Sequence, residues 1–373
     1  MSIGEPARNS DETVHRPLWA LGLMSGTSLD GIDLALIRSD GVSVLERGAV
    51  QFESYSDGLR DALRAVLGGN GDTNAVEREL TIAHAAAVAR FLKDDQAGGL
   101  VPDIIGFHGH TILHQPGEGR TWQIGDGQLL ADRTGVKVVG NMRGNDVAHG
   151  GQGAPIAPLY HAALGWNLER PFAVLNIGGV ANVTWIGLSD DNLMAFDTGP
   201  GGGQLDEWAE CETGERFDRD GALARSGVAN KEIVAGLLRN PYFSTLPPKS
   251  LDRIDFSIEP VKGQSPADGA ATLLEFTCAA IARAADFLPE PPRQWLVTGG
   301  GRKNGFMMER LGDLLAAPVN PVEMAGWDGD ALEAQAFAYL AVRNLYGLPL
   351  TLPGTTGVDR PRTGGKLFSP APG

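Results

Sequence analysis

The chain has few cysteines, a shortage of basic residues and no long apolar run. Only two of its 373 residues are cysteine, Cys211 and Cys278, so we expect no disulfide framework, two buried thiols and a reducing cytoplasmic location. No apolar run approaches the roughly 18 residues that span a bilayer, so we expect no membrane partner. Acidic residues number 46 against 31 Lys and Arg, and the formal net charge of −15 argues against a nucleic-acid partner.

Several motifs of well-known enzyme classes are also absent. The sequence contains no G-x-x-x-x-G-K-[ST], no G-x-G-x-x-G before a helix and no protein-kinase catalytic loop. It contains no G-x-S-x-G nucleophile elbow either. Any phosphoryl transfer by this chain would therefore not follow the P-loop or the protein-kinase pattern.

The length predicts two domains. The order of predicted elements along the chain is mixed α and β. The polar segment 1–16 has no apolar core of a signal peptide, and we expect a disordered tail there. We expect a first lobe of residues 17–167 plus 331–365 and a second lobe of residues 168–330. The predicted helices are Asp57–Leu67, Asn74–Leu92, Ser265–Leu288 and Asp330–Tyr346.

The most informative segment runs from Leu21 to Asp33. An apolar run ends at Met24, a loop of small, hydroxyl and acidic residues follows, and a second apolar run begins at Ile32, which predicts strand, glycine turn and strand. Backbone N–H groups clustered in such a loop form a concavity that suits phosphate. Asp30 and Asp33 could hold a hydrated Mg2+. An ordinary hairpin with a polar tip explains the same residues.

Two further glycine loops follow apolar strands. Residues 172–177 lead into Gly178 and Gly179 and then into a second strand, and Gly299–Gly301 follow the apolar residues 295–297. Two similar strand–loop–strand units in separate halves predict a duplicated fold. Two phosphate loops facing each other would hold a nucleotide from both sides.

Asp146 is the candidate general base, because it lies beside the flexible segment 149–153. An aspartate that caps the following turn is the structural alternative. Arg143 could neutralise phosphate or orient Asp146, or it could form a surface ion pair.

Three other segments carry reactive side chains with equally ordinary explanations. Asp197 begins a glycine-rich segment that we expect to be a loop, where it could reach Mg2+ or sugar or form an Asx turn. His108 and His110 would share one face of a strand, but no cysteine or carboxylate cluster completes a zinc site. Lys249 follows two prolines, and the sequence favours a surface turn there.

Taken together and in this order, the motifs resemble the anhydro-N-acetylmuramic acid kinases of bacteria, within the actin/hexokinase/Hsp70-like superfamily. The resemblance extends from about residue 18 to residue 365. Its motifs are Gly22–Asp33, Gln123–Gly127, Arg143 with Asp146–Ala148 and Gly150–Pro155, Asn176–Asn182, Asp197–Gly201, Pro247–Ser250, Thr298–Gly301 and Asp330–Ala334.

The resemblance implies a two-lobed α/β fold of the actin-like ATPase type, a duplicated ribonuclease H-like fold with a central cleft for ATP and Mg2+. It implies that water opens a 1,6-anhydro sugar ring and that the freed O6 takes the γ-phosphoryl group of ATP, in peptidoglycan recycling. It also implies a homodimer.

The resemblance further implies a role for each site residue. Asp146 would be the base, and Asp30 would hold Mg2+, through water. The implied nucleotide-binding residues are Gly26, Thr27, Ser28, Leu29, Asp30, Gly31, Ile32, Asp33, Gly178, Gly179, Asp197, Gly299, Gly300 and Gly301. The implied sugar-binding residues are Arg143, Gln152, Glu333 and His110.

Some positions depart from the family pattern, and other functions stay open. The family usually has Asp at Asn141, Gln at His110, Asn at Gly202 and Thr-Gly-Arg at residues 251–253. A kinase for another anhydro sugar, such as levoglucosan, would need a pocket without room for the lactyl and acetamido groups. A nucleotide-driven switch would keep the glycine loops without needing Asp146, and a sugar-binding protein would bind without turnover.

Overall fold

The computed structural model describes residues 15–26, 29–93, 99–189, 192–252 and 255–372. Most of the predicted tail, together with Thr27 and Ser28, lies outside these residues. The chain forms two compact units, Met1–Asn167 with Ala331–Gly373, and Leu168–Asp330. Within the described part of the chain, no helix combines the length and apolarity that crossing a membrane requires.

The first unit contains one seven-stranded sheet in the order β12-β6-β4-β1-β2-β3, with β5 paired to β4. The antiparallel series β1, β2 and β3 is extended by β4 parallel to β1 and by β6 parallel to β4. Its strands are β1 (Leu18–Ser25), β2 (Gly31–Ser39), β3 (Val44–Ser54), β4 (Ile104–Gln115), β5 (Arg120–Ile124), β6 (Val138–Gly140) and β12 (Lys366–Phe368).

The second unit has a five-stranded sheet in the order β11-β10-β7-β8-β9. Again three antiparallel strands are extended by two parallel strands on the side of the first. This repeated order confirms the predicted duplicated ribonuclease H-like α/β fold. The strands are β7 (Phe172–Ile177), β8 (Val180–Ile186), β9 (Leu193–Pro200), β10 (Trp295–Thr298) and β11 (Val319–Pro321).

Several helices begin where a short polar side chain caps them. At the predicted start of the helix Ser265–Leu288, the Ser265 hydroxyl accepts a hydrogen bond from the Asp268 amide at 3.1 Å, and Pro266 is the first helical residue. The helices of the first unit are α1 (Asp57–Ala65), α2 (Thr73–Phe91), α3 (Gly127–Thr134), α4 (Gly144–Ala148), α5 (Pro158–Leu164), α11 (Leu332–Leu345) and α12 (Pro353–Thr356). Those of the second are α6 (Gly203–Thr213), α7 (Ala222–Arg225), α8 (Lys231–Leu237), α9 (Pro266–Ala284) and α10 (Gly305–Leu314).

Helix α11 packs directly on the sheet of the first unit. A Cβ at Gly22 would lie 1.7 Å from the Ala334 carbonyl oxygen, so only glycine lets the helix backbone come this close to β1. The helix predicted for Asp330–Tyr346 is confirmed as α11, which begins at Leu332 after Ala331 and has no side-chain cap, while Asp330 pairs with Arg302 and Lys303.

Candidate active site

Asp146 lies on the short helix α4 with its side chain almost completely buried, at 2% exposure. Its Oδ1 accepts a hydrogen bond from the Gly153 amide at 2.7 Å, and its Oδ2 accepts one from the Thr356 hydroxyl at 2.6 Å. The capping alternative is therefore partly right, since Oδ1 organises the following turn. A carboxylate has about four acceptor positions, so two donors leave capacity for a proton or a water molecule.

The segment after α4 wraps closely around this carboxylate. A Cβ at Gly151 would lie 2.2 Å from Asp146 Oδ1, so a larger residue would displace the carboxylate. The Gln152 amide donates to the Thr356 carbonyl at 2.7 Å, while the Thr356 hydroxyl bonds Asp146. Thr356 thus fixes both the carboxylate and the glycine segment beside it.

Arg143 supports the same segment and is half-buried. Its Nη1 donates to the Gly153 carbonyl at 2.8 Å, and its Nε and Nη2 lie 3.3 and 3.2 Å from His108 Nε2. Burial, together with the charge of Arg143 and the neighbouring His110, holds the pKa of His108 well below its ordinary value. A neutral His108 can accept a hydrogen bond from Arg143. Arg143 in turn positions Gly153, whose amide bonds Asp146.

The predicted first phosphate loop is held at both ends by Tyr55. The Tyr55 hydroxyl hydrogen-bonds Ser25 Oγ at the end of β1, and the Tyr55 amide donates to the Asp30 carbonyl at 3.0 Å. Between them, Leu29 has a φ of 58°, and Arg60 Nε donates to its carbonyl at 3.0 Å. The strand–turn–strand prediction is confirmed, and the ends of the turn are fixed by residues outside it.

His110 also contacts this loop. Its Nδ1 lies 2.8 Å from Ser25 Oγ, and its side chain is fully buried. Burial lowers the pKa of His110 from 6.5 to about 4, although a hydrogen bond at Ser25 acts in the opposite direction. His110 therefore remains neutral near pH 7 and links β4 to the start of the loop.

Asp30 and Asp33 present oxygen donors at the end of the first loop. Asp30 is exposed and Asp33 is half-buried on β2. Among the described residues, no group of three or more His, Cys, Asp or Glu could hold a metal ion. Mg2+ needs no such group, because it binds one or two carboxylates together with phosphate oxygens and water, and this donor set fits it.

Gly178 and Gly179 form the predicted tight turn between β7 and β8. Their carbonyls accept from the amides of Gly202 at 2.7 Å and Gly201 at 2.9 Å, just before α6. These hydrogen bonds therefore hold the turn against the end of β9. The expected loop at Asp197 was wrong, because residues 197–200 belong to β9 and continue the sheet.

The third glycine segment, Gly299–Gly301, follows β10 as expected. Arg302 Nη1 donates to the Gly299 carbonyl at 3.0 Å, and its guanidinium also pairs with Glu323 and Asp330. Burial alone would raise the pKa of Asp330, but the ion pairs with Lys303 and Arg302 outweigh it and hold the pKa below its ordinary value. The Gly299–Gly301 turn is thus held by Arg302, whose guanidinium is itself held by Glu323 and Asp330.

Lys249 is buried, at 5% exposure, and the expected surface turn was wrong there. Its ammonium donates to the Tyr242 carbonyl at 2.9 Å and lies 4.4 Å from the Tyr242 ring centroid and 4.7 Å from that of Phe287. The Lys249 carbonyl accepts from the Asp197 amide, and Asp197 Oδ2 accepts from the Leu251 amide at 2.8 Å. Asp197 therefore connects β9 to the Lys249 segment.

The remaining predicted residues lie as follows. Glu333 is exposed in the first turn of α11, and Gln152 is half-buried beside Thr356. Cys278 is buried as expected, but the expectation for Cys211 was wrong, because it is exposed on α6. The sequence reasoning missed Thr356 and Tyr55, and their residue types gave no signal that they reach Asp146 and the first loop.

Comparisons with known proteins identify the family of this chain. The profile of the family described as anhydro-N-acetylmuramic acid kinase matches residues 18–370. The chain belongs to this family. The anhydro-N-acetylmuramic acid kinase of Paramagnetospirillum magneticum is 54% identical over 94% of this chain and 99% of its own length. That of Rhodospirillum rubrum is 53% identical over 98% and 96%.

Members of the anhydro-N-acetylmuramic acid kinase family are phosphotransferases, and the kinase class implies ATP as the phosphoryl donor. Among solved structures, an activator of the 2-hydroxyisocaproyl-CoA dehydratase from Clostridium difficile with bound ADPNP covers 88% of this chain and 96% of its own. Its identity is 11% and its TM-score 0.45, a likeness too weak to carry a functional statement.

Proposed function

We propose that this chain is an ATP-dependent kinase of 1,6-anhydro-N-acetylmuramic acid. It hydrolyses the 1,6-anhydro ring and phosphorylates O6, giving N-acetylmuramic acid 6-phosphate in peptidoglycan recycling. The observation that carries the proposal is the buried Asp146 carboxylate, held by the Gly153 amide and the Thr356 hydroxyl. Neither a nucleotide switch nor a sugar-binding protein needs a carboxylate held in this way.

The chemistry asks for a base that activates water. Water attacks C1 of the sugar and gives its proton to Asp146, the bond from C1 to the bridging oxygen breaks, and that oxygen attacks the γ-phosphorus as ADP leaves. Two hydrogen bonds fix the direction of the carboxylate, as a general base requires. Arg143 supports this geometry through the Gly153 carbonyl and, in our proposal, also contacts the sugar with Gln152, Glu333 and His110.

The three glycine segments are the proposed nucleotide site. Clustered amides at Gly26–Asp33 and at Gly178–Gly179 would bind phosphate oxygens, and Gly299–Gly301 would lie on the nucleoside side. Asp30, with Asp33 beside it, would hold Mg2+ through water, and the ion would neutralise phosphate charge. Asp197 is proposed to face the same nucleotide. Because ATP and a recycled cell-wall sugar meet in the cytoplasm, we propose that location; the homodimer rests on the family resemblance alone.

The decisive experiment measures ADP release from MgATP with no sugar, with 1,6-anhydro-N-acetylmuramic acid and with levoglucosan. Release that depends on the muramyl sugar, with the 6-phosphate as product, is the expected result. Release with levoglucosan alone would keep the mechanism and change the substrate. Release without sugar would favour a nucleotide switch, and absence of release a binding protein.

A further inference from the structure

Helix α4, which carries Asp146, is too short to fix its own orientation. It has only five residues, and in the described part of the chain the side chain of Arg143 does not cap its start. Forming the first turn of a helix costs more free energy than its few hydrogen bonds return, so a helix of this length depends on tertiary contacts. The direction of the Asp146 carboxylate therefore depends on the residues that hold α4 in place.

The C-terminal segment 350–365, which we call the strap, supplies such contacts. The strap folds back on itself, because the Leu350 amide donates to the Arg362 carbonyl at 2.7 Å. Near its end, Asn344 Nδ2 on α11 donates to the Gly364 carbonyl at 2.6 Å. Since α11 packs directly on the sheet, the strap is held by the central part of the first unit.

The strap contacts the base, its helix and the glycine segment that follows. The Thr356 hydroxyl bonds the carboxylate, as described above. Asn145 Nδ2 on α4 donates to the Thr363 carbonyl. The buried side chain of Val358 packs against Gly151, where a Cβ would lie 2.6 Å from Val358 Cγ1. One segment of the chain thus holds α4 and the residues after it from several directions.

The bond to Asn145 restrains a motion of α4 that the bond to Asp146 does not. Asn145 and Asp146 are consecutive, so their side chains leave the helix about 100° apart around its axis. A helix held on one side alone can still rotate about its axis, whereas attachments on two sides prevent that rotation. Because Thr363 presents a carbonyl oxygen, which only accepts, the Asn145 amide group must be the donor.

We infer that Asn145 is a positioning residue for the proposed base and that it acts through the strap. The inference rests on the proposed function and specifies how the C-terminal segment sets the rate of the reaction at Asp146. Asn145 acts through the orientation of α4, and a small displacement of a catalytic group lowers the rate of the chemical step. Its loss should therefore lower kcat and leave the affinity for ATP nearly unchanged.

The test compares wild type, Asn145→Leu and Asn145→Gln in the assay of ADP release with saturating 1,6-anhydro-N-acetylmuramic acid. The leucine variant loses the donor, so we expect kcat to fall about three- to tenfold, as for one neutral hydrogen bond, and the KM for ATP to stay within about twofold. The glutamine variant keeps a donor and should recover most of kcat. Asn70→Leu, which removes the bond from Asn70 Nδ2 to the Leu67 carbonyl elsewhere on the first unit, is the matched control and should change neither value.

Hydrogen exchange measured without substrates separates this inference from the proposed function. In Asn145→Leu, the amides of Gly151 and Gly153, which bond Asp146, should exchange faster, while those of α11 should not change. An unchanged kcat in this variant, an equal loss in the leucine and glutamine variants, or faster exchange throughout the unit would overturn the inference. If wild type has no turnover, the proposed function fails, whereas the role of Asn145 in holding α4 still stands or falls on the exchange of these two amides.

Discussion

The Thr356 hydroxyl donates a hydrogen bond to Asp146 Oδ2 at 2.6 Å, although 210 positions separate the two residues in sequence. On the other carboxylate oxygen, the Gly153 amide donates at 2.7 Å. One of these contacts is local and the other joins the last short helix of the first unit to α4. The proposed base is therefore oriented by two segments that meet only in the folded unit.

Replacing Asp146 by Asn removes the proton acceptor and keeps the size of the side chain. We expect kcat for ADP release to fall by about 10²–10⁴-fold, the range typical of a lost general base, with ATP affinity nearly unchanged. Thermal melting checks the fold, and Asp132→Asn, at an exposed position of α3, is the matched control. A near-normal rate of ADP release by this variant would contradict the assignment of Asp146 as the general base.

Thr356 offers a second test of the same carboxylate. Thr356→Val keeps the shape but removes the donor to Asp146, so kcat should fall roughly ten- to a hundredfold, as for a hydrogen bond to a charged group. The KM for ATP should hardly change, because within the described ranges Thr356 hydrogen-bonds Asp146, Gln152 and Leu352. Thr356→Ser restores the hydroxyl and should restore most of kcat; if Val and Ser variants behave alike, the hydrogen bond is irrelevant to turnover.

Tyr55 should matter for ATP rather than for sugar. Tyr55→Phe removes the hydroxyl that bonds Ser25 at the start of the first loop, while the backbone bond to Asp30 stays. We expect the KM for ATP to rise roughly two- to tenfold, as for one neutral hydrogen bond, and the KM for the sugar to stay the same. Tyr346→Phe, which removes an exposed hydroxyl on the same unit, is the control. Equal changes in both KM values would contradict a role in the loop.

His110 should contribute to acid sensitivity. Burial lowers its pKa from 6.5 to about 4, so between these values the unfolded chain binds a proton that the folded protein does not. The free energy of unfolding therefore falls as the pH drops from about 6.5 to about 4. The His110→Gln variant lacks this pH-dependent contribution to the free energy of unfolding. The urea concentration at its unfolding midpoint should therefore fall less between pH 7 and pH 4.5. Parallel losses in both proteins would show that His110 does not titrate this way.

Lys249 should act at the alkaline end. Burial, and to a lesser extent the charge of Arg283, lowers its pKa from 10.5 to about 8, although Asp197 acts in the opposite direction. Between these values the unfolded chain holds a proton that the folded protein has lost, so the contribution of Lys249 to stability rises with pH. The difference in urea midpoint between wild type and Lys249→Met should grow from pH 7.5 to pH 10, and a constant difference would contradict this.

Local sequence signals were sufficient for the parts of the fold that depend on short-range chemistry. The turn between β1 and β2, the Gly178–Gly179 turn and the start of α9 at Ser265 were all predicted from glycine placement, apolar alternation and capping. The helix predicted from Asp330 begins at Leu332, but its direct contact with the sheet depends on Gly22, which is far away in sequence. Packing decided there what local propensity could not.

The candidate site likewise combines features that short sequence segments determine with contacts that only the tertiary structure creates. The sequence by itself determined the family, the duplicated α/β fold and the candidate base Asp146, because glycine-rich turns and reactive residue types are visible within short segments. Only the tertiary structure decided that Thr356 holds that base, that Tyr55 fixes both ends of the first loop and that Lys249 is buried among aromatic rings. Such contacts join residues far apart in the chain, and their geometry is set by how strands and helices pack.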